Sequence, residues 1–296
     1  MLYRSIYVGN PAHLKLKDKQ LKIVDPATQT IKGSVPTEDL GLLMLDHYQI
    51  TLTHQLLQEL MKNNVVVISC DEKHLPSGAM LPFNGNTQYS ERVKVQIEVS
   101  EPLKKQLWKQ TIESKIKNQA KVLERLGKYA DPMYEYLKEV KSGDTTNMEG
   151  IAAQHYWKYL IDYDFLRDRF GEYPNQFFNF GYGVLLSIVA RALVDTGLLL
   201  VLGIFHRNKY NPYCLASDIM EPYRPIVDLL VMEWLTVHPE VEELNKESKA
   251  HILQMATSDV QIEKNIHPLI VAVKSTASSL YKCYTGEKRL IVYPEL

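Results

Sequence analysis

The chain is poor in the features that usually allow chemistry to be assigned by motif. It has three cysteines, Cys70, Cys214 and Cys283, an odd number with no close pair. That argues against a disulfide framework and a CxxC zinc site, and suits reduced cytosolic thiols. There is no GxSxG elbow, no HExxH helix, no GxxxxGK[ST] loop and no EF-hand spacing, so the best-marked hydrolase, zincin, P-loop and calcium classes are not indicated. Charge of one sign is missing too. The formal net charge is −1, so a polyanionic partner would need a local basic face. Long apolar runs are scarce: the uncharged stretches 173–190 and 196–205 are separated by Arg191 and Asp195. Neither supplies the roughly 20 apolar residues of a bilayer span. The opening MLYRSIYVGNPAH lacks an apolar segment behind basic residues, so no signal peptide is expected. The chain reads as soluble and cytoplasmic, without a membrane partner.

What is present is ordinary globular material, 45% hydrophobic and 23% charged over 296 residues, enough to bury a sizeable core in two modest domains. Residues 1–80 alternate short apolar runs (YRSIYV, HLKLK, QLKIV, LLML, VVVIS) with Asn10-Pro11, Asp25-Pro26, Lys32-Gly33 and Val35-Pro36. This is the pattern of strands joined by tight turns. One helix is expected within it near Thr53–Met61. The stretch LPFNGNTQYS (81–90) reads as a linker. Helical periodicity follows over 101–140 with a stop at Gly127 or near Asp131-Pro132, then over Thr145–Phe170, Phe177–Phe205, Pro225–Thr236 and on to about Tyr284. Strands first and helices after predict an α+β chain, with a β-rich domain over 1–85 and an all-helical domain over 86–296.

The stretch GIFHRNKYNPYCLASDIMEPYRPIVD (203–228) ends an apolar run at His206 and, after a polar loop, delivers Asp218 and Glu221. Each has a bland reading. A histidine at a helix C-terminus is favoured by the dipole, and D-x-x-E imitates a capping box. Pro222 lets the helix begin later, leaving Glu221 on irregular backbone, where ligand groups are often placed. Glu149, in GDTTNMEGIAA, is either an exposed first-turn acid on a helix capped by Asp144 or a threonine, or a ligand beside small neighbours. Taken together, one imidazole and two carboxylates from three helix ends suit Mg²⁺ or Mn²⁺ better than structural zinc, and such an ion serves phosphoryl chemistry. Gly181-Tyr182-Gly183 reads as a close helix contact, and Cys70 with His74 as a buried thiol and a loop imidazole. Glu101–Lys128 holds eight basic and three acidic residues, net +5, whereas 218–247 nets −6. The first is either a basic face or a solvated helix surface. Arg167, Arg169, Arg207 and Lys209 are the candidate phosphate contacts. Tyr156, Trp157, Tyr159 and Tyr163 suit a helical core or a dimer contact more than stacking on a splayed DNA end.

Several of these blocks occur in an order that resembles one family. The run FLRDRFGEYPNQFFNFGYGVLLSIVARALVDTGLLLVLGIFHRNKYNPYCLASDIMEPYRPIVD, with VISCDEKHLPSGAMLPF, TEDLGLLMLDHYQITLT and STASSLYKCYTGEKRLIVYPEL, is similar to the CRISPR-associated integrase of spacer acquisition, the Cas-one family, in its type II-like form. The resemblance implies a β-rich N-terminal dimerisation domain and a helical domain holding one divalent ion, Mg²⁺ or Mn²⁺, on Glu149, His206 and Glu221, with Asp218 in support. It also implies a homodimer that joins a small Cas-two protein, as a heterohexamer, and further type II adaptation proteins where these are needed. The activity it implies is insertion of a short duplex DNA, the prespacer, into a CRISPR repeat by 3′-OH transesterification, with hydrolysis when water replaces the 3′-OH. Two departures stand out. Glu221 occupies a position where many members outside the type II-like group carry aspartate, and Leu185-Leu186 stands where relatives often have a basic residue. The rivals are a partner-independent metal-dependent nuclease on branched or single-stranded DNA and a catalytically idle nucleoprotein scaffold.

Overall fold

The computed structural model describes residues 4–82, 86–161, 165–168 and 171–296, and the chain divides into two compact units, Met1–Gly85 and Asn86–Leu296. In the first, strands β1 (Arg4–Val8), β2 (Ala12–Lys17), β3 (Gln20–Val24), β4 (Ile31–Pro36), β5 (Leu40–Leu45) and β6 (Ile50–Leu52) precede helix α1 (His54–Lys62), and β7 (Val66–Cys70) and β8 (Pro76–Met80) follow it. They form two four-stranded sheets, ordered β1-β5-β7-β8 and β4-β3-β2-β6. Leu14, Leu21, Leu40, Leu43, Leu56, Leu60 and Val67 form the core of this unit. Thr53 caps α1 by accepting the Leu56 N–H. The punctuation at Lys32-Gly33 and Val35-Pro36, expected to break structure, lies inside β4. That strand is at a sheet edge, where the missing N–H of Pro36 leaves no ladder bond unmade. His74 Nδ1 sits 2.8 Å from the buried Asp46 carboxylate, which also accepts from Tyr7 Oη; Cys70 is half-buried.

The second unit contains α2 (Tyr89–Glu98), α3 (Glu101–Arg125), α4 (Asp131–Glu139), α5 (Met148–Leu160), α6 (Asn175–Asp195), α7 (Cys214–Ile219), α8 (Arg224–Val237) and α9 (Lys246–Leu253). After these come β9 (Asp259–Ile262), β10 (Asn265–Pro268), α10 (Leu269–Tyr284) and β11 (Pro294–Glu295). It is mainly helical, but not wholly so as expected: β10-β9-β11 is a small antiparallel sheet. The segment 81–90, expected as a linker, already carries the first residues of α2. The helix expected over Thr145–Phe170 is α5 and stops at Leu160. Helix α3 is the spine. One face buries Trp108, Thr111, Ile112, Lys115, Asn118, Gln119 and Val122. The chain end closes over it, with Thr111 bonded to Tyr293 and Asn118 to the Pro294 carbonyl.

Helix α6 shows the largest difference from expectation. It ends at Asp195, well short of Phe205. The cause is a Schellman closure: the Leu198 N–H bonds the Leu193 carbonyl, the Gly197 N–H bonds the Val194 carbonyl, and Gly197 has φ +83°. Asn86 and helix α2 then bind carbonyls at and just beyond this end. Asn86 donates to Asp195, Arg92 to Thr196, and Gln96 to Leu199 and Leu202. Contrary to the sequence-based expectation, α6 is long and apolar enough for a bilayer span, but 78% of its most apolar window is buried inside the protein. Gly181 packs directly on Val227 of α8, and Leu185 is fully buried. Replacing Gly197 by alanine places a β-carbon in the left-handed region and 3.1 Å from Arg92 and Asn86 side-chain atoms. The expected loss is about 1–2 kcal/mol of unfolding free energy in denaturant titration, with Gly197→Asn losing less.

Candidate active site

Glu149 lies at the start of α5, where Asp144 accepts the N–H groups of Met148 and Glu149. Glu221 is on a single 3-10 turn, Glu221–Tyr223, between α7 and α8. Pro222 and Pro225 keep that turn from merging with either helix, and Asn118 of α3 ties it by donating to the Pro222 carbonyl. The two carboxylates meet on Lys115 of α3. Its Nζ is 2.7 Å from Glu149 Oε1 and 2.6 Å from Glu221 Oε2. Arg224 Nε lies 3.0 Å from the other Glu221 oxygen. Lys115 donates a true hydrogen bond to Glu149. Its contact with Glu221 Oε2, and that of Arg224 Nε, are charge contacts off the hydrogen-bonding directions, so both atoms are buried without a hydrogen bond.

Burial alone would raise the Glu221 carboxyl, but Arg224 and then Lys115 overcome it and hold it below the ordinary range. Burial would likewise strip Lys115 of its proton; Glu221 and Glu149 reverse that and raise it. Lys115 is the residue that sequence reasoning misses. Its signal is position: Trp108, Ile112, Lys115, Gln119 and Val122 recur at helical spacing, and a lysine in such a stripe needs a buried anion.

His206 is not at a helix end, as the sequence suggests, but ten residues beyond the Thr196 cap of α6, on a loop folded around the Asp218 side chain. Asp218 Oδ2 accepts the N–H groups of Ile204 and Phe205 at 2.7 and 3.0 Å. Its Oδ1 accepts the His206 N–H at 3.1 Å and His206 Nδ1 at 2.5 Å. A β-carbon on Gly203 would fall 2.7 Å from Asp218 Oδ2 and 2.5 Å from the His206 carbonyl, so only glycine permits the wrap. Phe205 stacks flat on Trp108 of α3, ring centroids 4.2 Å apart, and His206 meets the same indole edge-on. The Asp218 hydrogen bond raises the His206 pKa, burial opposes it, and the charges of Asp218, Glu221 and Glu149 add to it. An acceptor on Nδ1 leaves Nε2 as the ligating nitrogen.

The fold therefore gathers Glu149 with Glu221, and His206 with Asp218, along the first half and middle of α3. Among the described residues no three His, Cys, Asp or Glu side chains are close enough to hold a metal as they stand, and an ammonium bridges the two glutamates. The donors nonetheless fit a divalent ion. They are hard oxygens and one imidazole, the site already binds a cation, and Glu221 Oε2 has no hydrogen bond to lose.

The candidate phosphate contacts separate. Arg207 is exposed and pairs with Glu101; Lys209 is exposed over the Tyr210 ring. Arg167 is turned inward, donating to Asn175 and Asn179 and lying against Tyr182. Arg169 and Tyr163 lie outside the described residues. Tyr156 is core, donating to the buried Asp228. Burial raises the Asp228 carboxyl to about 6, against hydrogen bonds from Tyr182 and Tyr156. Five of the eight basic residues of the Glu101–Lys128 stretch pair with acids, so its net charge overstates the free basic surface.

The family model described as CRISPR associated protein Cas1 matches residues 6–258. A CRISPR-associated endonuclease Cas1 from Neisseria meningitidis is 34% identical over 100% of this chain and 97% of its own. One from Pyrobaculum aerophilum is 26% identical over 79% and 83%. Among solved structures, a casposase bound to integration product superposes with a TM-score of 0.80 at 21% identity, covering 97% of this chain and 92% of that one. A Cas1 protein from Thermotoga maritima gives 0.74 at 17%, covering 97% and 99%. A Cas6-RT-Cas1–Cas2 complex gives 0.73 at 18%, covering 100% and 36%.

Asp218→Asn keeps the shape but replaces one acceptor by a donor facing N–H groups. The expected cost is about 2–3 kcal/mol of unfolding free energy, measured by denaturant titration. A raised His206 pKa means that its stabilisation is complete below the ordinary value of about 6.5 and is lost as pH rises through the folded value. The stability gap between wild type and His206→Gln should thus be widest near pH 6 and close towards pH 9, as followed by melts across that range.

Proposed function

The chain belongs to the Cas1 family of CRISPR-associated endonucleases, and from that premise we propose that it joins the 3′-OH ends of a short duplex DNA to a CRISPR repeat by transesterification, using one Mg²⁺ or Mn²⁺ held by Glu149, Glu221 and His206. The observation that carries this reading is the convergence of Glu149 and Glu221 on a single cation beside an imidazole whose Nδ1 is fixed by Asp218. The ion, when bound, polarises the scissile phosphate and stabilises the attacking and leaving oxygens. Glu221 and Glu149 supply its hard oxygens, and Arg224 holds Glu221 ionised. Asp218 keeps the proton on Nδ1, so Nε2 is the nitrogen that would hold the ion.

The nucleophile is the DNA 3′-oxygen, so the protein needs no serine or cysteine of its own. One P–O bond forms as another breaks, and the displaced strand leaves with a 3′-OH. The number of phosphodiesters is unchanged and no energy source is required. Water in place of the 3′-OH gives hydrolysis at the same centre. Arg207 and Lys209, exposed beside His206, are the proposed phosphate contacts. The N-terminal unit is the proposed homodimer interface. The likeness to a Cas6-RT-Cas1–Cas2 complex supports a small Cas2 partner, and the proposed assembly is a heterohexamer.

A strand-transfer assay tests the reading. Purified protein, with and without Cas2, is mixed with a labelled short duplex, a supercoiled plasmid carrying a repeat, and Mg²⁺ or Mn²⁺. Wild type should join label to plasmid, and Glu221→Gln should fall by about two orders of magnitude or more, the scale of losing a group that stabilises transition-state charge. Cutting without joining would instead identify a plain nuclease, and inertness of wild type a scaffold.

A further inference from the structure

Lys115 holds the place that the proposed ion would take. Its Nζ touches one oxygen of each glutamate at 2.6 and 2.7 Å. An ion bridging those oxygens at about 2.1 Å would share the nitrogen's volume and repel its charge. Without any ion the pocket is already neutralised, since two carboxylates, Glu149 and Glu221, face two cations, Lys115 and Arg224. The two cations differ in freedom. Arg224 sits on α8 against Glu221 with its guanidinium over the Tyr182 ring, whereas Lys115 is a single ammonium on a flexible four-carbon stem. The open side of the site is where Glu149 and His206 lie, their side chains 25% and 40% exposed. Glu221 closes the other side, 4% exposed.

Resting on the functional reading above, we propose that Lys115 is an internal competitor of the catalytic cation: its ammonium bridges Glu149 and Glu221 in the DNA-free enzyme, gives way when the divalent ion binds, and swings to the open side to pair with a phosphate of the bound DNA. Lys115 is a positioning residue here, and it couples the two ligands. Without DNA, an ammonium pushed off both carboxylates has no anion to go to, so the ion binds weakly. With DNA, a phosphate receives it, and ion and duplex each tighten the other by the same factor, as linkage requires. The enzyme is thereby kept from holding an active metal centre when no substrate is present.

Titration of Mn²⁺ by calorimetry or electron paramagnetic resonance, with and without a short duplex, tests this in wild type, Lys115→Met and Glu221→Gln. Lys115→Met should bind Mn²⁺ without DNA about tenfold more tightly than wild type, and the strengthening of Mn²⁺ binding by duplex should shrink by a similar factor, within the usual range for coupled sites. Weaker Mn²⁺ binding in Lys115→Met would show that the lysine organises the ligands rather than competing, and would overturn the inference. So would equal binding in the two proteins. Wild type that binds no more Mn²⁺ than Glu221→Gln, even with duplex, would remove the metal reading and this inference with it. A second measurement needs no variant. Amine-reactive labelling of wild type, read by mass spectrometry, should show Lys115 protected in the metal-free protein, more reactive in saturating Mn²⁺ and protected again on adding duplex. Unchanged reactivity in Mn²⁺ would overturn the proposal.

Discussion

The helical unit is organised around an electrostatic requirement that no single segment can meet. An ammonium on the buried stripe of α3 must find anions, and two carboxylates, one largely buried and one half-buried, must find cations. Glu149 arrives from the start of α5, Glu221 from a turn between α7 and α8, and Lys115 from the middle of α3. Isolated, each would bear the desolvation cost of a charge withdrawn from water. Together they satisfy one another, and the contact is possible only if all three segments hold their positions. A buried ion pair of this sort adds little net stability compared with an apolar contact of the same size, but losing one partner is severe.

A second set of interactions centres on one carboxylate. Asp218 is fully buried and binds three consecutive main-chain N–H groups and an imidazole. An ionised acceptor is well suited to this, because charge-assisted hydrogen bonds are shorter and stronger than neutral ones. The carboxylate thus fixes both the path of the loop and the orientation of the ring. Upstream, Arg92 and Gln96 of α2 hold the carbonyls of Thr196, Leu199 and Leu202, just beyond α6. The placement of His206 is therefore accounted for from the end of α6 to the start of α7 by polar contacts to neighbouring elements.

Much of this arrangement is legible in the amino-acid sequence. The alternating runs at Tyr3–Val8, His13–Lys17 and Gln20–Val24 point to strands because local alternation survives in a half-buried sheet. Glu149, His206, Asp218 and Glu221 stand out because acids and an imidazole beside apolar helices need partners. Local patterning fails where the deciding contact is distant along the chain. Apolar residues run on past Asp195, so periodicity carries the helix to Phe205; Gly197 in the left-handed region, with α2 waiting for the carbonyls, ends it. Lys115 looks like one cation among eight on a solvated face, although its glutamate partners lie 34 and 106 positions away. The strands β9 and β10 are too short, between two helices, to show a period of two.

The loop after α6 is gripped by its main chain. Asp218 binds the backbone N–H groups of residues 204–206, and Gln96 binds backbone atoms of residues 199 and 202. The side chains of Val201, Leu202, Arg207, Lys209 and Tyr210 point outward and take no part in that grip. Selection can therefore rewrite them one at a time without displacing the imidazole. Descendants of one ancestor could differ in the surface this rim presents while inheriting an unaltered imidazole position, a separation of outer face from inner geometry that is written into the hydrogen bonding of a short loop.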